Sequence, residues 1–141
     1  MSEKQIEKIS LFGALTSQQR DRLLRESAIR HCRLGEQIFC EGDLPSDIYI
    51  ILRGRVDLIC ERDNVHQIKQ ILTQGECFGE TAVIGIQPQA ATAIASTRDV
   101  SLLVLTSHLL IDIEKNNKEL FALLMMNIAR DVSRKIHGQY C

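Results

Sequence analysis

The sequence predicts a mainly β fold, a sandwich or barrel with a jelly roll as the leading candidate, flanked by helices. Between residues 28 and 106, short runs rich in Ile, Val and Leu are separated by turns at Gly35, Gly42, Gly54 and Gly75. Glycine supplies the positive φ that tight turns need, and evenly spaced short strands are typical of β sandwiches and barrels. On both sides of this region the apolar residues recur at the three- and four-residue steps of an amphipathic helix.

The segment before the strands is predicted to be helical. Thr16 and Gln19 have the spacing of a capping box, so a helix should follow to about Ser27, with Leu23 and Leu24 on its buried side. Ahead of it, a short helix or turn should pack on the same body through three apolar residues: Ile6, Ile9 and Phe12.

Six runs have the composition of strands: QIFCE, DIYIILR, RVDLICER, HQIKQIL, ATAIAS and VSLLVL. Several of them alternate between apolar and polar residues. In the third run, Val56, Leu58 and Cys60 should point to one face of the sheet, because side chains along a strand have a period of two.

The helical period returns after the last strand. One helix is predicted over residues 107–116, and a second should run from a cap at Asn117 to about His137, where Gly138 suits its end. The second helix carries an apolar stripe about 30 Å long. The stripe either packs on its own barrel or pairs with a second copy, and its near-heptad spacing favours a homodimer. The predicted interface is Phe121, Leu124, Met125, Ile128, Val132 and Ile136.

Composition indicates one domain over residues 1–141, helical over 1–27, a β roll over 28–106, and helical again over 107–138. Hydrophobic residues make up 45%, charged residues 25%, and the net charge is −1, without a basic stripe for nucleic acid or membrane. No apolar stretch approaches the roughly 20 residues of a membrane span. We therefore expect no nucleic-acid or membrane partner.

The cysteines and the N-terminus predict a cytoplasmic chain. The five cysteines are an odd number without a CxxC pair, which favours reduced core thiols over a disulfide framework. MSEKQIEKIS lacks the apolar core of a signal peptide.

Catalytic patterns are missing from the sequence, which predicts that the chain is not an enzyme. His31, His66, His108 and His137 are isolated, so they do not form the clusters that a metal site needs. No Ser or Cys lies in a nucleophile-elbow pattern. We expect no metal site and no permanent cofactor.

The stretch FGETAVIGIQPQAA, residues 78–91, looks like a loop that wraps a small anion, yet it contains no Arg, Lys or His. With its surroundings it resembles the cyclic-nucleotide-binding domain of catabolite-activator-type transcription factors, kinase regulatory subunits and gated ion channels. The matching stretches fall in family order: LGEQIFCEGD (34–43), IYIILRGRV (48–56), GECFGETAVI (75–84) and PQAATAIAS (88–96). The resemblance covers nearly the whole chain and implies an eight-stranded jelly roll flanked by helices.

The resemblance also implies roles for the loop. Gly79 would let the backbone approach the ligand, and Glu80 would accept a hydrogen bond from the ribose 2′-hydroxyl. A short helix from about Thr81, and the N–H of Ala90, would bind the cyclic phosphate, as helix N-termini do. The implied ligand-binding residues are Phe78, Gly79, Glu80, Thr81, Ala82, Gln89, Ala90, Ala91 and Thr92.

Gln89 departs from the family, which usually has Arg at this place. Replacing a charged hydrogen bond by a neutral one costs about 1–2 kcal/mol, or roughly 5- to 30-fold in affinity. Other interpretations remain at this stage: Gln89 could be a surface turn residue, and Glu80 a solvated or N-capping side chain.

Two functions are consistent with these patterns. The first is a regulatory or sensor domain that binds a cyclic nucleotide through a weakened phosphate site or with a cation from elsewhere. The resemblance favours cAMP over cGMP, because Ala90 offers no hydroxyl to guanine. The second is a degenerate module, with a vestigial or repurposed pocket, that acts in dimerisation or protein interaction. A DNA-reading domain is not expected in this chain. Base contacts would come from polar residues of the last helix: Asn127, Arg130, Asp131 and Ser133.

Overall fold

The computed structural model describes residues 2–140, without the side chains of Ala82 and residues 138–140. Five α-helices occur in this range: α1 (Glu3–Glu7), α2 (Ser17–Glu26), α3 (Glu80–Gly85), α4 (Ser107–Asn116) and α5 (Lys118–Tyr140). A 3₁₀ turn at Ser10–Phe12 lies between the first two. Within this part of the chain, no helix is long and apolar enough to span a bilayer.

Eight strands form the body of the described domain: β1 (Ala28–Arg33), β2 (Gln37–Phe39), β3 (Ile48–Arg53), β4 (Val56–Arg62), β5 (Val65–Leu72), β6 (Cys77–Phe78), β7 (Thr92–Ala95) and β8 (Asp99–Leu105). They make two antiparallel sheets, an inner sheet ordered β1-β8-β3-β6 and an outer sheet ordered β2-β7-β4-β5. This is the arrangement of a jelly roll. The predicted fold, with helices before and after the strands, is confirmed.

The inner sheet is covered on both faces, which explains the apolar sequence of β3. Ile48 and Ile50 pack against the helices, whereas Tyr49 and Ile51 pack against the outer sheet. A strand buried on both faces has no polar face to show to solvent, so its sequence is a continuous apolar run.

The alternation predicted in β4 is confirmed. Val56 and Cys60 are buried between the sheets, and Leu58 packs against the same cluster. On the other face, Asp57 is also buried. Its carboxylate is satisfied there, because Ser96 Oγ donates to Oδ1 at 3.0 Å and Arg55 lies 3.4 Å from the same oxygen.

The helix starts follow the predicted caps. Thr16 Oγ1 accepts from Gln19 N at 3.1 Å, while Thr16 N donates to Gln19 Oε1 at 2.9 Å, as a capping box requires. Asn117 Oδ1 accepts from Leu120 N at 3.1 Å and caps α5.

The predicted end of α5 near His137 is wrong, because the helix continues through Gly138 to Tyr140. Glycine costs only about 1 kcal/mol inside a helix, which does not end one of this length.

Buried contacts with the N-terminal segment fix the position of α5. Leu120, Leu124 and Ile128 belong to the core between the helices and the inner sheet. Asn127 Nδ2 donates to Leu11 O at 2.9 Å and to Gly13 O at 2.6 Å. This pairing anchors the middle of α5 on the 3₁₀ turn, so that the C-terminal half of the helix lies across β6 and α3.

The turn before β6 provides a test of this packing. Gly75 has φ +90°, and an added Cβ would lie 2.7 Å from the carbonyl carbon of Lys8. Gly35 has a similar φ of +85°, but an added Cβ would meet nothing within 4 Å. Gly75→Ala should lower the free energy of unfolding by about 2–5 kcal/mol, from left-handed strain plus overlap, and Gly35→Ala by only about 1–2 kcal/mol.

Urea unfolding of both variants beside the wild type measures this difference. Equal losses for the two variants would mean that the N-terminal segment does not pack on the Gly75 turn as described.

Candidate functional site

A cavity of about 210 Å³ lies between the loop that resembles a ligand site and the last helix. The start of that loop, residues 78–81, forms one wall. Leu58 of β4 and Gln70 of β5 form the sheet side. The opposite wall comes from α5: Val132, Lys135 and Ile136. The cavity thus joins segments that are far apart in sequence.

The wall of this cavity contains a buried ion pair. Lys135 Nζ lies 2.7 Å from Glu80 Oε1, and their side chains are 17% and 2% exposed. Lys135 Nζ also donates to Cys77 O at 2.6 Å. Glu80 is therefore neither solvated nor a simple helix cap: it is the anionic partner of a lysine on α5.

Two further side chains complete the cluster. Asp131 Oδ2 lies 3.0 Å from Lys135 Nζ and accepts a hydrogen bond from the Cys77 thiol, also at 3.0 Å. Burial raises the pKa of Cys77 well above its ordinary value, and the negative charge of Glu80 adds to this shift. The sulfur therefore stays protonated and acts as a donor.

The pKa of Lys135 reflects its surroundings. Burial alone lowers this pKa, but the negative charge of Glu80, with a smaller contribution from Asp131, raises it above its ordinary value. The lysine is thus held in its charged form. Its ammonium group has three donors, and three oxygens are within reach: those of Cys77, Glu80 and Asp131.

The local sequence explains how these groups converge. Cys77 and Phe78 are adjacent in β6, so their side chains point to opposite faces, Cys77 toward the helices and Phe78 into the space between the sheets. Asp131 and Lys135 are four residues apart on α5 and therefore share a face of the helix. Gly79 turns the chain between β6 and α3 with φ +85°, where an added Cβ would lie 2.9 Å from Asp47 O.

A metal ion could in principle use three side chains of this cluster. One ligand atom each from Cys77, Glu80 and Asp131 lie within 4.8 Å of one another. The ammonium group of Lys135 already contacts both carboxylates, so it supplies the positive charge that such a set of ligands attracts.

The structure separates the predicted ligand residues into two groups. Phe78, Gly79, Glu80 and Thr81 line the cavity, although the ring of Phe78 also packs in the core against Tyr49 at a centroid distance of 5.1 Å. The side chain of Ala82 lies outside the described residues. The second group does not line the cavity: Gln89, Ala90, Ala91 and Thr92.

Gln89 is only 6% exposed, so it is not a surface turn residue. Its N–H donates to Asp43 O, and its carbonyl accepts from Gly42 N, both at 2.8 Å. These bonds tie the second half of the loop to the turn after β2. Thr92 contributes to the same connection, since its Oγ1 accepts from Glu41 N at 2.8 Å. Ala90 is exposed.

The six residues of the predicted dimer stripe differ in their environment. Leu124 and Ile128 are fully buried in the core of their own chain. Phe121, Met125 and Val132 are partly buried against that core. Ile136 is 49% exposed. A partner chain would therefore contact only the partly buried and exposed members of the stripe, Phe121, Met125, Val132 and Ile136. It would not contact Leu124 or Ile128.

Sequence reasoning missed Lys135, Cys77 and Asp131 as a cluster. The four polar residues expected to contact a base do not line the cavity. Of these, Asn127 pairs with the N-terminal segment, and Asp131 belongs to the cluster. The four-residue spacing of Asp131 and Lys135 indicates that the two side chains can pair on one face of a helix. It gives no sign of Glu80, which lies 55 positions before Lys135.

Comparisons with known proteins identify the family of this chain. The family model of the cyclic nucleotide-binding domain matches residues 29–117. The chain is 28% identical over 123 residues to the potassium channel AKT6 of Arabidopsis thaliana, covering 87% of this chain and 14% of the channel. It therefore spans about a seventh of that relative's length.

Solved structures support the fold. A cyclic nucleotide-binding domain from Methylobacillus flagellatus superimposes with a TM-score of 0.86 at 22% identity, covering 97% of this chain and 77% of that one. The regulatory domain of Toxoplasma gondii PKA, solved with cAMP, gives a TM-score of 0.68 at 21% identity, covering 80% and 46%.

The chain belongs to the cyclic nucleotide-binding domain family, because the matching family model covers more than half of it. Domains of this family bind cyclic nucleotides such as cAMP and are regulatory rather than catalytic. The resemblance first seen in the loop sequence is thereby confirmed at the level of the family.

The buried ion pair leads to a prediction about stability. Lys135→Met leaves the carboxylate of Glu80 buried without a cation and Asp131 with only the 3.6 Å contact to Arg134, so the free energy of unfolding should fall by about 3–5 kcal/mol. Lys118→Met, at an exposed lysine near the start of α5, should change it by no more than about 0.5 kcal/mol. Denaturant unfolding measures both.

A double-mutant cycle with Glu80→Gln separates the pair from general effects. We expect a coupling free energy of about 0.5–3 kcal/mol between positions 80 and 135. Additive losses, or an equal loss in Lys118→Met, would show that the ion pair does not hold α5 on the cluster.

Proposed function

We propose that this chain is a cAMP-responsive regulatory domain with a weakened phosphate site, in which the nucleotide bonds the second oxygen of Glu80 and displaces the end of α5 that carries Lys135. The proposal combines the confirmed family with two particular features, the glutamine at position 89 and the ion pair to α5. A cytoplasmic location is part of it, since the four described cysteines, Cys32, Cys40, Cys60 and Cys77, are free thiols.

One observation carries the proposal. Glu80 Oε1 bonds Lys135, but Oε2 is buried and has no hydrogen-bond partner among residues 2–140. A buried carboxylate oxygen without a donor costs free energy, and native structures seldom retain one without a reason. The ribose 2′-hydroxyl, which the family resemblance assigns to Glu80, is a donor of the required kind.

The phosphate would bind to backbone groups beside this oxygen. The helix α3 begins at Glu80, and the first N–H groups of a helix have no partner within it. The negative charge of the phosphate is favoured there. The family resemblance assigns the remaining phosphate contacts to the buried Gln89 and to Ala90 and Ala91. A neutral amide at position 89 weakens such a site and does not abolish it.

The size of the cavity supports competition with α5. Ligand pockets usually measure about 300–1,000 Å³. The cavity here is about 210 Å³, with Lys135 and Ile136 forming its outer wall. A nucleotide would need the end of α5 to move outward, which breaks the bond between Lys135 and Glu80. Ligand binding would thus change the position of the terminal helix, which is how a regulatory domain passes on a signal.

A second function is favoured by the same contact. If the bond between Lys135 and Glu80 is permanent, the cavity stays too small for a nucleotide, and the domain acts as an interaction module. The two functions differ in one measurable property, which is whether adding the missing cation at position 89 produces or strengthens nucleotide binding.

Gln89→Arg should bind cAMP about 5- to 30-fold more tightly than the wild type, because a guanidinium replaces a neutral amide beside the phosphate. Gln87→Arg is the matched control, since it adds the same charge at an exposed position of the same loop. Calorimetric titration with cAMP and cGMP should show the gain only at position 89, with cAMP preferred. Adding Glu80→Gln to Gln89→Arg should then reduce the affinity.

Circular dichroism verifies that each variant is folded. If folded Gln89→Arg shows no cAMP binding at millimolar ligand, the nucleotide-site proposal is abandoned in favour of the interaction module. An equal gain in Gln87→Arg would assign the effect to net charge.

Homodimerisation through α5 is the second part of the proposal. A groove of about 650 Å³ runs along the helix and is lined mainly by apolar side chains, among them Met125, Val132 and Ile136. Ile84 of α3 extends this surface and is 48% exposed. Pairing with the same helix of a second chain would cover this groove, and the near-heptad spacing of the stripe favours such pairing.

Ile136→Asp should convert the dimer to a monomer, because it places an unpaired charge in the interface. Ile68→Asp is the control, at a residue 57% exposed on β5 and away from α5. Sedimentation equilibrium at tens of micromolar distinguishes the two states. A monomeric wild type, or a dimer that both variants leave intact, would contradict this interface.

A further inference from the structure

A second cavity adjoins the cavity of about 210 Å³ lined by residues 78–81, which we call the nucleotide cavity. The second cavity measures about 490 Å³ and is bordered by three parts of the chain: the segment after α1, the end of β5 with the Gly75 turn, and the C-terminal half of α5. We call it the basic cleft. It shares Lys135 and Gln70 with the nucleotide cavity, but none of residues 78–81 line it.

Basic side chains reach this cleft from each of the three parts. Lys8 comes from the N-terminal segment, Lys69 from β5, and Arg134 with Lys135 from α5. Lys69 makes no ion pair or hydrogen bond with other residues that the structure describes. Lys8 has only a long contact, 3.5 Å from Nζ to Gln74 Oε1. The side chains of Lys8, Lys69 and Arg134 can therefore turn toward one ligand.

The acidic residues of the cleft do not cancel this charge. Asp131 is engaged on both oxygens, with Lys135 at 3.0 Å and Arg134 at 3.6 Å. Glu76 Oε2 accepts from Thr73 N at 2.7 Å. Four cations and two carboxylates line the cleft, and Glu80 behind it pairs with Lys135, which together leave a formal charge of +1. Convergent positive charge in a concave site attracts anions.

A hydroxyl group adds a neutral donor. Ser10 lines the cleft, and its covered Oγ, which has no hydrogen-bond partner within residues 2–140, can turn toward the cleft by rotation about the Cα–Cβ bond. Its backbone N–H is held by Gly75 O at 3.1 Å, which fixes the residue at the floor of the cleft. A buried hydroxyl without a partner is uncommon, and an anionic oxygen would satisfy it.

We propose that the basic cleft binds a small anion with two or more negative charges on phosphate oxygens, of the class of pyrophosphate or a phosphate monoester. Lys69, Lys8 and Arg134 bind its charged oxygens, and Ser10 Oγ donates to one of them. This site goes beyond the proposed nucleotide function, because the residues that bind the anion, Lys8, Ser10, Lys69 and Arg134, do not line the nucleotide cavity. It does not depend on the phosphate loop or on Gln89.

Calorimetric titration with inorganic pyrophosphate, at constant ionic strength, tests this site. Lys69→Gln and Arg134→Gln should each weaken binding about tenfold, since each removes a charged hydrogen bond. Ser10→Ala, which leaves the charge unchanged, should weaken it by about 2- to 10-fold. Lys115→Gln, at an exposed lysine of α4, is the control and should bind like the wild type.

The outcomes separate this site from the nucleotide site. Gln89→Arg should leave pyrophosphate binding unchanged, whether or not it alters cAMP binding. No binding at millimolar pyrophosphate, or the same loss in Lys115→Gln as in Lys69→Gln, would overturn the proposal. So would tighter pyrophosphate binding by Gln89→Arg together with no effect of Lys69→Gln, because the anion would then lie in the phosphate loop.

Discussion

The bond between Lys135 and Glu80 connects the fold of this domain to its ligand chemistry. Glu80 belongs to the loop that the family uses for cyclic nucleotides, and Lys135 belongs to the helix that would transmit a signal. Because both charges are buried, neither can leave the other without a replacement partner. A nucleotide hydroxyl can take one oxygen of Glu80, whereas Lys135 keeps Asp131 of its own helix as a partner. Under the proposed function, nucleotide binding and release of the helix are therefore coupled.

This ion pair depends on its surroundings. Two buried charges repay the cost of desolvation only when hydrogen bonds satisfy them. Asp131 and the carbonyl of Cys77 satisfy the ammonium group, and the thiol of Cys77 donates to Asp131. The arrangement requires α5 to lie across β6, and the pairing of Asn127 with the N-terminal turn holds it there. Packing of the helices thus determines the electrostatics of the site.

Much of the fold could be predicted, because its signals are local. The capping box of α2, the start of α5 and the alternation in β4 each depend on residues within a few positions of one another. The end of α5 could not be located this way, since glycine permits a helix end without requiring one. The ligand loop was recognised from its motif, but its motif does not show that Gln89 is buried and bonded to the turn after β2.

The sequence alone determined the family and the absence of a cation from residues 78–91. The family motif and the missing cation are both properties of the order of residues along the chain, which does not depend on how the chain folds. Only the tertiary structure decided that Lys135 supplies a cation to Glu80 from 55 positions away, and that Leu124 and Ile128 face their own core. An amphipathic stripe states which face of a helix is apolar, but not which surface covers it. That depends on how the helix packs against the sheet, and pairwise contacts between distant residues fix it.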